Sequence, residues 1–138
     1  VNGMSYSKRD GKNANSAVIV AVTPDDFGSD HPLAGIAFQR KLERKAFELG
    51  QGKIPVQRYG EFKDKVEANT SGKDGTAELQ PQTKGLFTWA DVSQILPKEC
   101  NESFVEGMSV FARQIPGFDR PDACLLGVVI LVNLTIFT

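Results

Sequence analysis

Few residues in this chain carry reactive chemistry. There is one histidine, His31, and there are two cysteines, Cys100 and Cys124, 24 positions apart. A structural zinc site takes four ligands, drawn mostly from closely spaced Cys and His pairs, so the usual zinc centre cannot be assembled. No sequence neighbour makes His31 a dyad with either thiol, and its place at an expected helix start suits capping better than nucleophile activation. Asp25 with Asp26, and Asp119 with Asp122, are paired acids in turns. Such pairs could serve a metal or acid–base role, but in turns they chiefly solvate loops. Lys8, Arg9 and Lys12 could attract a phosphate, a weak footprint in a chain that carries 17 acidic residues. The glycosylation-like triplets at Asn69, Asn101 and Asn133 matter only on a secretory route and are read as chance. No residue is therefore expected to be catalytic or metal-binding.

The totals narrow the class. A chain of 138 residues, 41% hydrophobic and 24% charged with a net charge of -1, has the make-up of one folded domain. It lacks the basic surplus that phosphate backbones favour, so nucleic acid is not an expected partner. With no signal-like segment, the two cysteines read as reduced, partly buried thiols of a cytoplasmic protein. The chain starts without Met and with a polar stretch, residues 1–15, as if it continued from something longer.

The elements follow from periodicity and punctuation. "SAVIVAV", Ser16 to Val22, is a β-branched run bounded by polar residues and reads as an interior strand. A helix is expected from about Pro32 to Leu49, capped by Ser29 or Asp30, with Pro32 in its first turn and Gly50 as a left-handed stop. Ile36, Phe38, Leu42, Ala46 and Leu49 would form its buried side, and Arg40, Lys41, Glu43, Arg44 and Glu48 a solvated face. "KIPVQRYGEF" reads as a second strand that Pro55 would confine to a sheet edge. Residues 67–85 have little apolar content and are expected to form a long exposed, flexible loop.

Order resumes at "TWADV", where Thr88 and Asp91 have the spacing of a capping box for a short helix. Pro97 then starts a longer helix, whose stripe of Phe104, Met108, Phe111 and Ile115 reads as core, until Pro116 and Gly117 end it. "ACLLGVVILVNLTIFT" is too short for the roughly 20 residues of a transmembrane helix, so no membrane partner is expected. It reads as a central strand from about Cys124 to Val132, paired with the strand near Ala17, with later residues able to prolong it. The fold class is thus α+β: a single domain with a small mixed sheet under two main helices.

Three separated blocks carry a family resemblance: "NGMSYSKRDGKNANSA", "DDFGSDHPLAGIAFQRKLERKAFELG", and "QILPKECNESFVEGMSVFARQIPGF" followed by "DACLLGV". Together, over about residues 1–128, they resemble the distal half of a bacterial family of uncharacterised FAD-dependent dehydrogenases related to the NAD(FAD)-utilising enzymes. The resemblance implies a glycine-rich nucleotide-binding region before this stretch and a further FAD-contacting segment after it. This chain contains no G-x-G-x-x-G. From Val129 to Thr138 it reads "VILVNLTIFT", where the family continues into a polar Arg, Thr and Ser segment, an atypical end that suggests a truncated or frame-shifted product.

By that resemblance the chain is the substrate-facing domain of a flavoprotein, inert alone. FAD would be bound by the parent's FAD-binding domain, and none is expected on the isolated chain. Asn2, Ser5, Arg9, Asn13 and Asn15 would face an unidentified small-molecule substrate or the flavin edge. Their amides and hydroxyl would orient a ligand, and Arg9 would pair with an acidic group or steady negative charge on reduced flavin. Read without the resemblance, the same residues satisfy turns in a polar terminus. The alternative from another class is a non-catalytic interaction domain that forms homodimers through its apolar C-terminal strand.

Overall fold

A computed structural model describes residues 7–68, 79–83 and 85–127, together with the backbone of 133–137. In chain order the elements are β1 Asn15–Ile19, α1 Pro24–Phe27, α2 Ala34–Gly50, β2 Ile54–Arg58, α3 Tyr59–Val66, β3 Phe87–Trp89, a 3-10 turn at Val92–Gln94, α4 Lys98–Gln114, β4 Cys124–Leu126 and β5 Asn133–Phe137. The strands form one sheet in the order β1-β5-β4-β2-β3. Only β2 and β3 run parallel; the other neighbours are antiparallel, so the sheet is mixed and the domain α+β. No helix among the described residues is long and apolar enough to cross a membrane.

The apolar C-terminal run does not form one long strand. It pairs as two strands, Cys124 opposite Phe137 and Leu126 opposite Thr135. The strand near Ala17 pairs with β5, not with β4. A short partner explains this: β2 offers β4 three register positions, Val56 to Arg58, and a straight extension would leave later residues unpaired. Residues 128–132 lie outside the described part. β5 has neighbours on both sides, which leaves β1 and β3 as the free edges.

Pro55 is likewise not on an edge strand, since β2 lies between β4 and β3. It stands just beyond the last register pair with β4, where its carbonyl accepts the Gly127 amide at 3.0 Å, so the missing amide costs only the terminal bond of that ladder. Immediately after β2 comes α3, which the reading of this stretch as a strand followed by loop does not anticipate. Its signal is the spacing of Tyr59, Phe62 and Val66, which places all three against the helix-side core. Thr88 belongs to β3 rather than to a cap; Asp91 by itself precedes the 3-10 turn, and its carboxylate accepts from Ser93 Oγ and Gln94 Nε2.

The helix-side core joins Leu42 and Ala46 of α2, Tyr59 and Phe62 of α3, and Phe104, Val105 and Met108 of α4, with Val18 and Leu125 from the sheet. Edge-to-face ring contacts, Phe62 to Phe104 at 5.4 Å between centroids and Tyr59 to Phe104 at 6.5 Å, lie at its centre. α2 starts two residues later than expected and leaves the left-handed turn to Gln51 (φ 51) and Gly52 (φ 77), while Gly50 stays helical and buried. Ile36 is half exposed, because at 3.6 residues per turn it lies about a third of a turn around the helix from Leu42, off the buried side. In α4 the stripe is buried only at Phe104 and Met108; Phe111 and Ile115 are exposed.

Candidate functional site on the sheet face away from the helices

Strand alternation sends Ile54, Val56 and Arg58 to the face opposite the main helices, with Phe87 and Trp89 beside them on β3. Val56, Cys124 and Leu126 form a small buried cluster there, flanked by Ile54, Phe87 and Leu79. Leu79 belongs to the described return, 79–83, of the stretch expected as exposed loop, and this return packs on the sheet; residues 69–78 and 84 lie outside the described part. The segment is fastened through its backbone: the Leu79 carbonyl accepts Arg58 Nη1 at 3.4 Å and faces the Cys124 thiol at 4.0 Å.

Arg58 is the cation of this face. It is half buried, its guanidinium carbon lies 4.8 Å from the Trp89 ring centroid, and Nη1 also donates to the Asp122 carbonyl at 3.5 Å. Among the described residues Arg58 has no carboxylate partner, and its Nε and Nη2 make no hydrogen bond. The nearby Asp122 carboxylate is committed elsewhere: Arg120 grips it with Nε at 2.9 Å and Nη2 at 2.8 Å. Those charge-assisted bonds hold the Asp122 carboxyl below its usual range despite some desolvation. Burial pushes the Cys124 thiol up, opposed by the Arg58 charge, so the buried thiol is protonated and unreactive at neutral pH.

The leading segment lies against this region. Asn13 donates its side-chain amide to the Gln80 carbonyl at 2.9 Å, and a Cβ built on Gly11 would stand 3.8 Å from Gln82 Oε1. Asn15 opens β1. Arg9 is exposed, with its backbone in the left-handed region (φ 51). Asn2 and Ser5 lie outside the described residues. The structure thus brings Asn13 beside the segment that Arg58 holds. Sequence reasoning did not single out Arg58 or Trp89; the signal available was a cation two positions beyond Val56 in an alternating strand, the pattern of an outward residue on an apolar face.

The other chemistry-bearing residues are used locally. His31 Nδ1 accepts the Leu33 amide at 3.1 Å, and Asp26 accepts both the amide (2.6 Å) and the hydroxyl (3.0 Å) of Thr23. They border an open concavity of about 760 Å³ with Phe27, Phe38, Lys41 and Pro97, but no two of them are poised as acid and base. Cys100, on the first turn of α4, is buried, and burial pushes its thiol up. Among the described residues no three His, Cys, Asp or Glu side chains converge on a metal position.

The described residues thus form an α+β domain with a cation-bearing sheet face and a polar segment fastened beside it. The chain belongs to the family described as FAD-dependent protein, C-terminal domain-like, whose pattern it matches over residues 1–129. It is 41% identical over 130 residues to an uncharacterized protein of Clostridium beijerinckii; the match takes in 92% of this chain and 23% of that protein. The chain therefore spans about a quarter of the length of this relative. Among the described residues the strand-to-helix junctions, Val20 to Thr23 after β1 and Arg58 to Tyr59 after β2, contain no glycine, so neither is a glycine-rich pyrophosphate turn.

Proposed function

We propose that this chain is the substrate-side domain of an FAD-dependent oxidoreductase, probed by its substrate on the sheet face away from the helices, and that the flavin is held by the remainder of the parent protein. The observation that carries this reading is the juxtaposition of Asn13 and the 79–83 segment with an arginine that has no carboxylate partner among the described residues, in a chain of an FAD-dependent protein family. Flavin, when bound in the parent, supplies the electron transfer; no protein nucleophile is required. The part left to this chain is to orient a ligand, to exclude water with the apolar floor of Leu79, Val56 and Leu126, and to place fixed positive charge at the ligand's acidic end. Arg9, Asn13 and Asn15 are assigned the polar rim of that face, and Asn2 and Ser5, outside the described residues, keep their assignment as substrate- or flavin-facing groups by family resemblance. A bacterial, cytoplasmic dehydrogenase whose partners are its own FAD-binding domain and a small-molecule substrate is the setting we assign.

Two measurements test it. The isolated chain, mixed with FAD and passed over a sizing column, is expected to elute without flavin absorbance. Stoichiometric flavin on this chain, reduced by a small molecule with no other protein present, would defeat the proposal. Within the full-length flavoprotein, Asn13→Ala is expected to lower kcat/KM on the order of tenfold at unchanged flavin content, the scale of one hydrogen bond.

A further inference from the structure

The geometry points to a carboxylate-binding subsite made by Arg58 and Trp89, its ligand a small aromatic or conjugated monocarboxylic acid. Arg58 is held in place from one side: the indole of Trp89 lies 4.8 Å from its guanidinium carbon, and Nη1 is tied to the carbonyls of Leu79 and Asp122. The groups left without partners among the described residues, Nε and Nη2, are the two that form the side edge of the guanidinium. That edge presents two parallel N–H donors at the spacing of the two oxygens of a carboxylate. A charge that already has its orientation fixed loses less entropy when it binds than a free surface arginine does.

The surroundings select the rest of the ligand. Trp89 is 45% exposed although it stacks on Arg58 and meets Phe87 edge-to-face at 6.1 Å, so it offers a flat apolar surface to a body attached to the carboxylate. The count of charges favours a monoanion. Arg120, the nearby second arginine, is closed on Asp122 by two short hydrogen bonds, which leaves the Arg58 charge without a carboxylate partner among the described residues. A phosphate dianion would keep an unneutralised charge there, whereas a carboxylate is matched one to one. That this acid is the substrate rests on the reading of the face given above. That the subsite binds it does not, because the subsite lies wholly within this chain.

The chain carries its own reporter, since Trp89 is its single tryptophan. Benzoate is the probe, with benzamide and inorganic phosphate as controls, read by Trp89 fluorescence and by calorimetry. Benzoate is expected to give a saturable signal, and Arg58→Gln to weaken it at least about tenfold, the scale of a charge-assisted pair. Arg58→Lys, which keeps the charge but loses the fork, is expected to weaken it several-fold, roughly three to ten. Benzamide should bind at least about tenfold more weakly than benzoate and be insensitive to Arg58→Gln. An unchanged thermal midpoint shows that a variant is folded; should Arg58→Gln unfold, Arg58→Lys and the benzamide comparison decide. The proposal is overturned if benzoate gives no saturable signal, if Arg58→Lys or benzamide matches wild type with benzoate, or if phosphate binds more tightly than benzoate. Benzoate binding in a chain that also proves self-sufficient with FAD would keep the subsite and discard the domain assignment, so the two failures are separable.

Discussion

At the scale of single residues, the decisive groups are charges whose surroundings were set by partners distant in sequence. Asp91 is an example. Burial pushes its carboxyl up, but hydrogen bonds from Lys65, Ser93 and Gln94 more than offset this and hold it at about 2. A carboxyl whose pKa is lower in the folded state stabilises the fold above its unfolded pKa and loses that contribution as pH falls through the folded value. The contribution is on the order of 1–2 kcal/mol, present at neutral pH and lost between about pH 4 and pH 2. Asp91→Asn is therefore expected to lower the denaturation midpoint at pH 7, and the gap between the two proteins should close as the pH approaches 2. A gap that stays constant over that range would rule out the charge as its cause. Sequence showed that Asp91 stood near a turn but gave it the wrong companion, Thr88, because the ion pair with Lys65 spans 26 positions and needs α3, a helix the alternation of the preceding strand concealed. The same limit applies to the site: Asn13 and Asn15 could be chosen for their polarity and the family resemblance, whereas Arg58 acquires meaning only when β3 brings Trp89 alongside it.

At the scale of elements, periodicity located the two long helices to within a few residues and left their burial to be set by what they pack on. The α4 stripe is continuous in sequence, but the layer beneath it is not. Phe104 is 1% exposed and touches the rings of Tyr59 and Phe62, whereas Phe111 is 40% exposed and meets only Phe118 among the ring contacts, at 5.4 Å. Phe104→Ala is expected to cost about 3–5 kcal/mol through lost burial and a cavity that α3 and α4 cannot collapse around. Phe111→Ala should cost less than about 1.5 kcal/mol, the scale of one ring pair. Urea titrations of both variants check this, and comparable losses would mean that α4 is buried along its whole length. The C-terminal strands were missed for a related reason. An apolar run shows that burial is needed but not where the chain must turn back, and that point is set by the length of β2 and by Gly127, where a Cβ would come within 2.6 Å of Ile95 Cδ1.

For the whole molecule, the sheet divides two apolar layers of very different depth, and the two cysteines lie one in each. Cys100 is on the first turn of α4, facing the layer shared by three helices; Cys124 is on the opposite face, in a cluster whose cover from outside the sheet, among the described residues, is Leu79. Both thiols are buried and both are pushed up by burial, so neither should react in the closed state, and labelling by a thiol reagent reports opening. Exposing Cys100 requires the first turn of α4 to part from the helix-side core that also holds Phe104, Val105 and Met108, the deeper of the two layers, so this opening is expected to be the costlier one. Among the described residues, exposing Cys124 requires only that the 79–83 segment lift, at the cost of the Leu79 contact, the long Arg58 hydrogen bond to the Leu79 carbonyl and the Asn13 amide bond. In native buffer, Cys100→Ser, which keeps Cys124, is therefore expected to label at least about tenfold faster than Cys124→Ser, a gap of about 1.4 kcal/mol in opening free energy. Benzoate at saturation should slow the first and leave the second unchanged, because a ligand on Arg58 stabilises only states in which the segment that shapes its site is closed. Equal rates for the two variants would mean that the molecule opens as one unit and that the face we assign to substrate is no more mobile than the core.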